Sequence, residues 1–173
     1  LIAGFGRIGQ SLIKRCLGFE MKVFVYDPFV SKDVIENLGG IKVDSMEDAC
    51  KTMDAVSLHI PLNDQTKNII NYDLLKTMKN NCIIINAARG GIVNEVDLDN
   101  ALNESLIFGA GLDVFETEPP DPNNPLLKND KVFLSPHTAA FTEECMTRMG
   151  KETIQNIIDF FDEKLEKSKI IKL

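Results

Sequence analysis

Short runs of apolar residues recur along the chain, separated by longer stretches in which apolar positions repeat at helical spacing. The runs at residues 1–3, 22–26, 41–43, 55–59, 82–86, 107–112 and 132–134 predict β-strands. They are near-continuous in Val, Ile and Leu, the pattern of strands buried on both faces of a parallel sheet. The stretches between them are long enough for crossover helices. Strand and helix alternating in this way predict an α/β fold, a doubly wound parallel sheet between two helical layers.

The helix ends are marked as well. Asn94 precedes Glu95 and Asp97, and Thr142 precedes Glu143 and Glu144, each an N-cap followed by acids in the first turn. The long last helix carries Met146, Met149, Ile154, Ile157, Ile158 and Phe161 on roughly one side, which is expected to pack on the sheet. Pro119, Pro120, Pro122 and Pro125, with Asp and Asn among them, force a loop. Asp97, Asp99 and Glu104 read as a solvated helix face, and the stretch Lys151 to Lys172, with five Lys and five acids, as solvated surface. No repeat, low-complexity tract or internal linker interrupts residues 1–173, which read as one domain.

Composition narrows the function. Of 173 residues, 44% are hydrophobic and 26% charged, enough for a packed core without a disulfide or structural metal. No apolar run approaches the ~20 residues of a membrane span. The net charge of -7 argues against a grip on nucleic acid or an anionic membrane, so the expected partner is a small molecule. Cys16, Cys50, Cys82 and Cys145 show neither a pairing nor a zinc-ligand spacing, which suits a reducing cytoplasm and predicts no metal site. The opening residues have no initiator Met, charged n-region or cleavage site, so they read as the interior of a strand.

Gly4-Phe5-Gly6-Arg7-Ile8-Gly9 fits G-x-G-x-x-G directly after a predicted strand and before a predicted helix. The first glycine makes the tight turn, the second admits a pyrophosphate to the backbone, and the third lets helix pack on strand, as in a Rossmann-type nucleotide site. Taken alone the pattern also fits a tight strand-to-helix turn with no ligand. Asp27 closes the second strand 18 residues after Gly9, where an acid can hydrogen-bond ribose hydroxyls. No Arg follows it to clamp a 2'-phosphate, which favours NAD over NADP. S-adenosylmethionine enzymes share this layout, so the rest of the chain must decide.

Three further segments end predicted strands with polar groups: Asn86 to Gly91, Gly111 to Pro120, and Ser135 to Ala140. With the glycine loop, Asp27, and His59-Ile60-Pro61-Leu62 followed by Thr66, their order and spacing resemble the D-isomer-specific 2-hydroxyacid dehydrogenases. The resemblance covers essentially the whole chain, and it sets aside the methyltransferase alternative.

The resemblance implies a role for each matching position. Arg89 resembles the arginine that binds the substrate carboxylate and polarises the carbonyl. His137 resembles the acid/base that exchanges a proton with the substrate oxygen, and Glu118 the carboxylate that orients it and stabilises its protonated form. Asp113 resembles the residue on the nicotinamide carboxamide side. Arg7 and Ile8, with Gly4, Gly6 and Gly9, correspond to the pyrophosphate turn. Ile60, Pro61, Ala87, Ala88 and Ala139 correspond to the wall around ribose and nicotinamide, and His59 reads as part of that wall.

Glu118 argues against the formate dehydrogenase branch, where glutamine fills this position. The segment Asn86 to Gly91, with the Thr-Ala-Ala after His137, looks closest to 3-phosphoglycerate dehydrogenases and glyoxylate/hydroxypyruvate reductases, the former favoured. A non-catalytic NAD(H)-sensing co-repressor-like protein and a purely structural dimerisation module are the readings from other classes. The resemblance also implies that the family's split substrate-binding domain is absent from this chain, that the chain alone is inactive, and that the full-length protein is a homodimer.

Overall fold

A computed structural model describes residues 1–170. Seven strands form one all-parallel sheet: β1 (Ile2–Ala3), β2 (Phe24–Tyr26), β3 (Ile41–Lys42), β4 (Ala55–Leu58), β5 (Ile83–Asn86), β6 (Gly109–Leu112) and β7 (Val132–Leu134). Each lies within a run expected from the sequence. The spatial order is β3-β2-β1-β4-β5-β6-β7, so the chain winds outward from β1 to β3 and then returns to begin β4 beside β1. The crevice outside the carboxyl ends of β1 and β4 is therefore the switch point where open parallel sheets bind ligands.

Five helices connect the strands: α1 (Arg7–Gly18), α2 (Lys32–Asn37), α3 (Met46–Cys50), α4 (Tyr72–Leu75) and α5 (Glu95–Asn103). Ser45, Asn71 and Asn94 cap α3, α4 and α5 by accepting backbone N–H groups. Two cores result. Ile2 and Val25 pack with Phe5, Ile13 and Ile35 on the α1/α2 side, while Val56, Leu58, Ile84, Leu98 and Leu112 build the larger core with α3, α4 and α5.

Register corrects the expectation that every strand is buried on both faces. Ile2 pairs with Ser57, Ser57 with Ile85, Ile85 with Gly111 and Gly111 with Phe133, so these residues share one face. Over β1 and β2 that face lies under α1 and α2, yet farther along it Ile83 is 39% and Phe133 79% exposed. The apolar runs of β5 and β7 record an apolar face that residues 1–137 do not cover.

Leu1–His137 and the residues from Thr138 onward form two compact units. The second is built on α6 (Glu143–Phe161), capped by the Thr142 hydroxyl, which accepts the Cys145 N–H at 3.2 Å. No residue of α6 is buried. An apolar stripe announces that a face is to be covered, not by what. The charged residues that follow α6 are exposed where described, and residues 171–173 lie outside the described residues.

Candidate active site

The site builds from the glycine loop outward. Gly4 adopts φ +95°, and a Cβ there would collide with the carbonyl oxygen of His59, so only glycine lets β1 turn this close to β4. A Cβ on Gly6 would meet nothing within 4 Å, leaving open space in front of the loop. Gly6 is also the N-cap of α1, which has no side-chain cap and no acid in its first turn. Its first N–H groups are thus a donor set facing that space, and the positive end of the helix dipole favours an anion there.

Asp27 closes the loop from β2. Its Oδ2 accepts the Phe5 N–H at 2.7 Å, and its Oδ1 accepts those of Phe29 at 2.8 Å and Val30 at 3.2 Å. A carboxylate has about four lone-pair sites, so Oδ2 retains one for a ribose hydroxyl. The residues therefore fit a bound dinucleotide: an open anion cradle on α1 and an acceptor beside it.

On the other side of the switch point, β4 is followed by His59, whose Nε2 lies 2.9 Å from Ser57 Oγ and whose pKa is lowered by burial. The His59 backbone forms the wall against Gly4. Ile60 is half-buried and Pro61 exposed, and the Pro61 carbonyl is held by the Thr66 hydroxyl at 2.6 Å.

The remaining groups stand on loops leaving β5, β6 and β7. Asn86 ends β5 and Asp113 directly follows β6, and they are, among the described residues, the buried polar side chains. Asn86 Nδ2 donates to the Arg89 carbonyl at 2.9 Å, and its Oδ1 accepts the Ala88 N–H at 3.1 Å, folding the Ala87–Arg89 turn back over the strand end. Arg89 projects to solvent, and among the described residues its guanidinium makes no ion pair. A Cβ on Gly90 would collide with the backbone of Phe115, so the arginine loop lies directly against the loop that follows β6. Asp113 Oδ1 accepts the Ser135 hydroxyl at 2.5 Å, joining the β6 and β7 loops.

A histidine–carboxylate contact completes the candidate site. His137 Nδ1 and Glu118 Oε2 are 2.7 Å apart, while Glu118 Oε1 accepts the Phe115 N–H at 3.1 Å. The Glu118 carboxyl is held below its ordinary range first by the bond to His137 and then by the Phe115 amide. With Nδ1 engaged, the other ring nitrogen of His137 is the one left to exchange a proton with a ligand. Asp113, Phe115, Glu118, Leu134, Ser135 and His137 border a cavity of about 420 Å³. Ala139 lies in the second unit, in a turn closed by the Phe141 N–H on the Thr138 carbonyl at 2.8 Å.

The residues expected on the strand ends up to His137 thus stand at the carboxyl end of the sheet, and Glu118 meets His137 directly. Nothing in the sequence shows that Asn86, Ser135, Glu95 and Asn124 hold these loops through hydrogen bonds. An amide ending the otherwise apolar run Ile83-Ile84-Ile85 was a signal for Asn86. Asn124 carried no signal in a loop rich in Asp, Asn and Pro.

The chain is 44% identical over 156 residues to D-3-phosphoglycerate dehydrogenase of Methanocaldococcus jannaschii, covering 90% of this chain and 30% of that protein. It is 43% identical over 159 residues to glyoxylate reductase of Thermococcus litoralis, covering 92% and 47%. The chain thus spans about a third to a half of the curated relatives it matches. The NAD-complexed D-isomer specific 2-hydroxyacid dehydrogenase of Lactobacillus delbrueckii ssp. bulgaricus superposes with a TM-score of 0.86 at 29% identity, over 96% of this chain and 54% of that one. The profile of the family's NAD binding domain matches residues 1–139. The chain belongs to the D-isomer specific 2-hydroxyacid dehydrogenase family, through its NAD binding domain.

Proposed function

We propose that the protein is an NAD-dependent oxidoreductase that moves a hydride between nicotinamide C4 and C2 of a 2-hydroxy or 2-oxo acid, with a 3-phosphoglycerate-type acid as the favoured substrate. The observation that carries the reading is the 2.7 Å contact of His137 Nδ1 with Glu118, at the same carboxyl end of the sheet as the uncapped glycine loop and the exposed Arg89. When bound, the nicotinamide supplies or accepts the hydride. The protein's own residues do the rest. Arg89 forks onto the substrate carboxylate and draws electron density from the neighbouring carbonyl. In reduction, the His137 ring gives its proton to the oxygen at C2 as C2 gains hydride; in oxidation it takes that proton back.

Gly4, Gly6, Arg7, Ile8 and Gly9 take the pyrophosphate, Asp27 the adenosine ribose and Asp113 the carboxamide side, against a wall of Ile60, Pro61, Ala87 and Ala88. Four free cysteines support a reducing, cytoplasmic setting. The uncovered apolar face at Ile83 and Phe133 supports a homodimer of the full-length protein.

The test is to assay the full reading frame with NADH against 3-phosphohydroxypyruvate, hydroxypyruvate, glyoxylate and pyruvate. Preference for the phosphorylated acid is expected. A folded protein that binds NADH and reduces none of the four overturns the reading. Residues 1–173 alone are expected to bind NADH with little or no turnover.

A further inference from the structure

The loop that carries Glu118 is tied to the body of the domain at a point removed from the acid/base pair. Glu95 is the first residue of α5, immediately after the Asn94 cap. Its Oε1 accepts the backbone N–H of Glu116 at 2.6 Å, and its Oε2 accepts the side-chain N–H of Asn124 at 2.6 Å. These bonds span 21 and 29 residues, so they join separate segments rather than shape a local turn. Short bonds to an ionised acceptor are also the strong ones.

Glu116 and Asn124 bracket Glu118, Pro119 and Pro120. Asn124 in addition accepts the Leu126 N–H through Oδ1 at 3.0 Å, which starts the 3-10 turn Pro125–Lys128 and seats the buried Leu126. One carboxylate therefore pins the loop on both sides of Glu118. The loop cannot shift without breaking one of its two bonds, and a shift would move Glu118 Oε2 away from the His137 ring.

We propose that Glu95 is a positioning residue for the acid/base pair: its carboxylate sets where Glu118 stands and, through Glu118, the orientation of the His137 ring. The inference rests on the oxidoreductase reading above, and Glu95 touches neither substrate nor cofactor in it.

The test exploits the polarity of the second bond and uses the full reading frame. Glu95→Gln keeps an oxygen for the Glu116 amide but sets an NH2 group against that of Asn124. Adding Asn124→Asp reverses the bond: the new amide donates to the new carboxylate, which still accepts the Leu126 N–H. A 1 Å misplacement can cost about 100-fold in rate, so the partial loosening in Glu95→Gln is expected to lower kcat about tenfold. NADH affinity should stay within about twofold, because the glycine loop is untouched. The pH midpoint of kcat should move in the single variant, and the double variant should recover both the midpoint and most of the rate.

A Glu95→Gln enzyme that keeps its kcat overturns the proposal, as does a double variant no better than the single. Loss of NADH binding along with kcat also overturns it, since Glu95 would then support the fold as a whole. A wild-type protein that binds NADH but reduces no 2-oxo acid refutes only the oxidoreductase reading. Amide exchange at the buried Leu126, whose N–H is held by Asn124 Oδ1, then decides the strut: protection lost in the single variant and regained in the double supports it, and unchanged protection overturns it.

Discussion

Replacing Asp27 tests the cofactor half of the site most directly. In Asp27→Ala three backbone N–H groups lose their acceptor. The Phe29 amide can turn to water, but Phe5 is fully buried, so its N–H is stranded inside the glycine loop. A buried donor left without a partner costs about 1–3 kcal/mol, and a ribose hydroxyl bond to an ionised carboxylate contributes about 1.5–3 kcal/mol. Part of the Phe5 cost falls on the free and bound states alike and cancels from the affinity. The expected net loss is about 2 kcal/mol, or roughly 30-fold in Kd for NADH. Asp27→Asn keeps one oxygen acceptor and should weaken NADH less, while narrowing the preference over NADPH because the charge opposing a 2'-phosphate is gone. Isothermal titration of residues 1–173 reads both, with a melting curve to show that each variant is folded. A folded Asp27→Ala protein that binds NADH within twofold of wild type refutes the reasoning.

Two further outcomes follow from the ionisable groups. Burial, with a smaller contribution from neighbouring charges, pushes the Cys50 thiol up to about 12 and the Cys82 thiol up to about 11. Near neutral pH a thiol reagent should therefore modify Cys16 and Cys145 in the native protein and reach Cys50 and Cys82 only on unfolding; four fast-reacting thiols would contradict the buried placement. The Glu118 carboxyl is depressed from 4.5, so the stability it contributes is present above that value and is lost as pH falls through the depressed one. An NMR titration of the Glu118 carboxyl should find it still ionised at pH 4.5, and a midpoint at or above 4.5 would contradict the bond to His137.

What the sequence disclosed and what it withheld divide along physical lines. Strand positions, the Asn94 and Thr142 caps and the glycine loop were legible because each depends on a few neighbouring residues: a run of Val and Ile, a side chain accepting an amide three residues on, a turn only glycine can make. The coverage of the sheet was not legible. Ile83 and Ile85 look the same in a sequence whether a helix lies over them or not, and register alone shows that they share a face with the exposed Phe133. The supports of the site were hidden for a related reason. Glu95 reads as an acid favouring a helix N-terminus, and nothing local shows that its oxygens reach Glu116 and Asn124.

Magnitudes show why those supports matter more than the acid/base contact itself. The Glu118 and His137 side chains are 38% and 52% exposed, and an ion pair so open to water contributes about 0–1 kcal/mol. His137 also stands at φ +55°, a left-handed conformation that costs of order 1–3 kcal/mol for a residue with a side chain. The pair cannot hold that geometry unaided, so the surrounding bonds must. The Ser135 N–H donates to the Leu112 carbonyl at 3.0 Å and the Ser135 hydroxyl to the buried Asp113, which fixes the start of the His137 turn on the end of β6. Glu118 is fixed from the other side by the Phe115 amide, by the contact of Gly90 with the Phe115 backbone, and by Glu95 beneath the loop. In the proposed reaction a proton donor held this way reaches a ligand already oriented, because the cost of ordering it is met in folding and not at the moment of reaction.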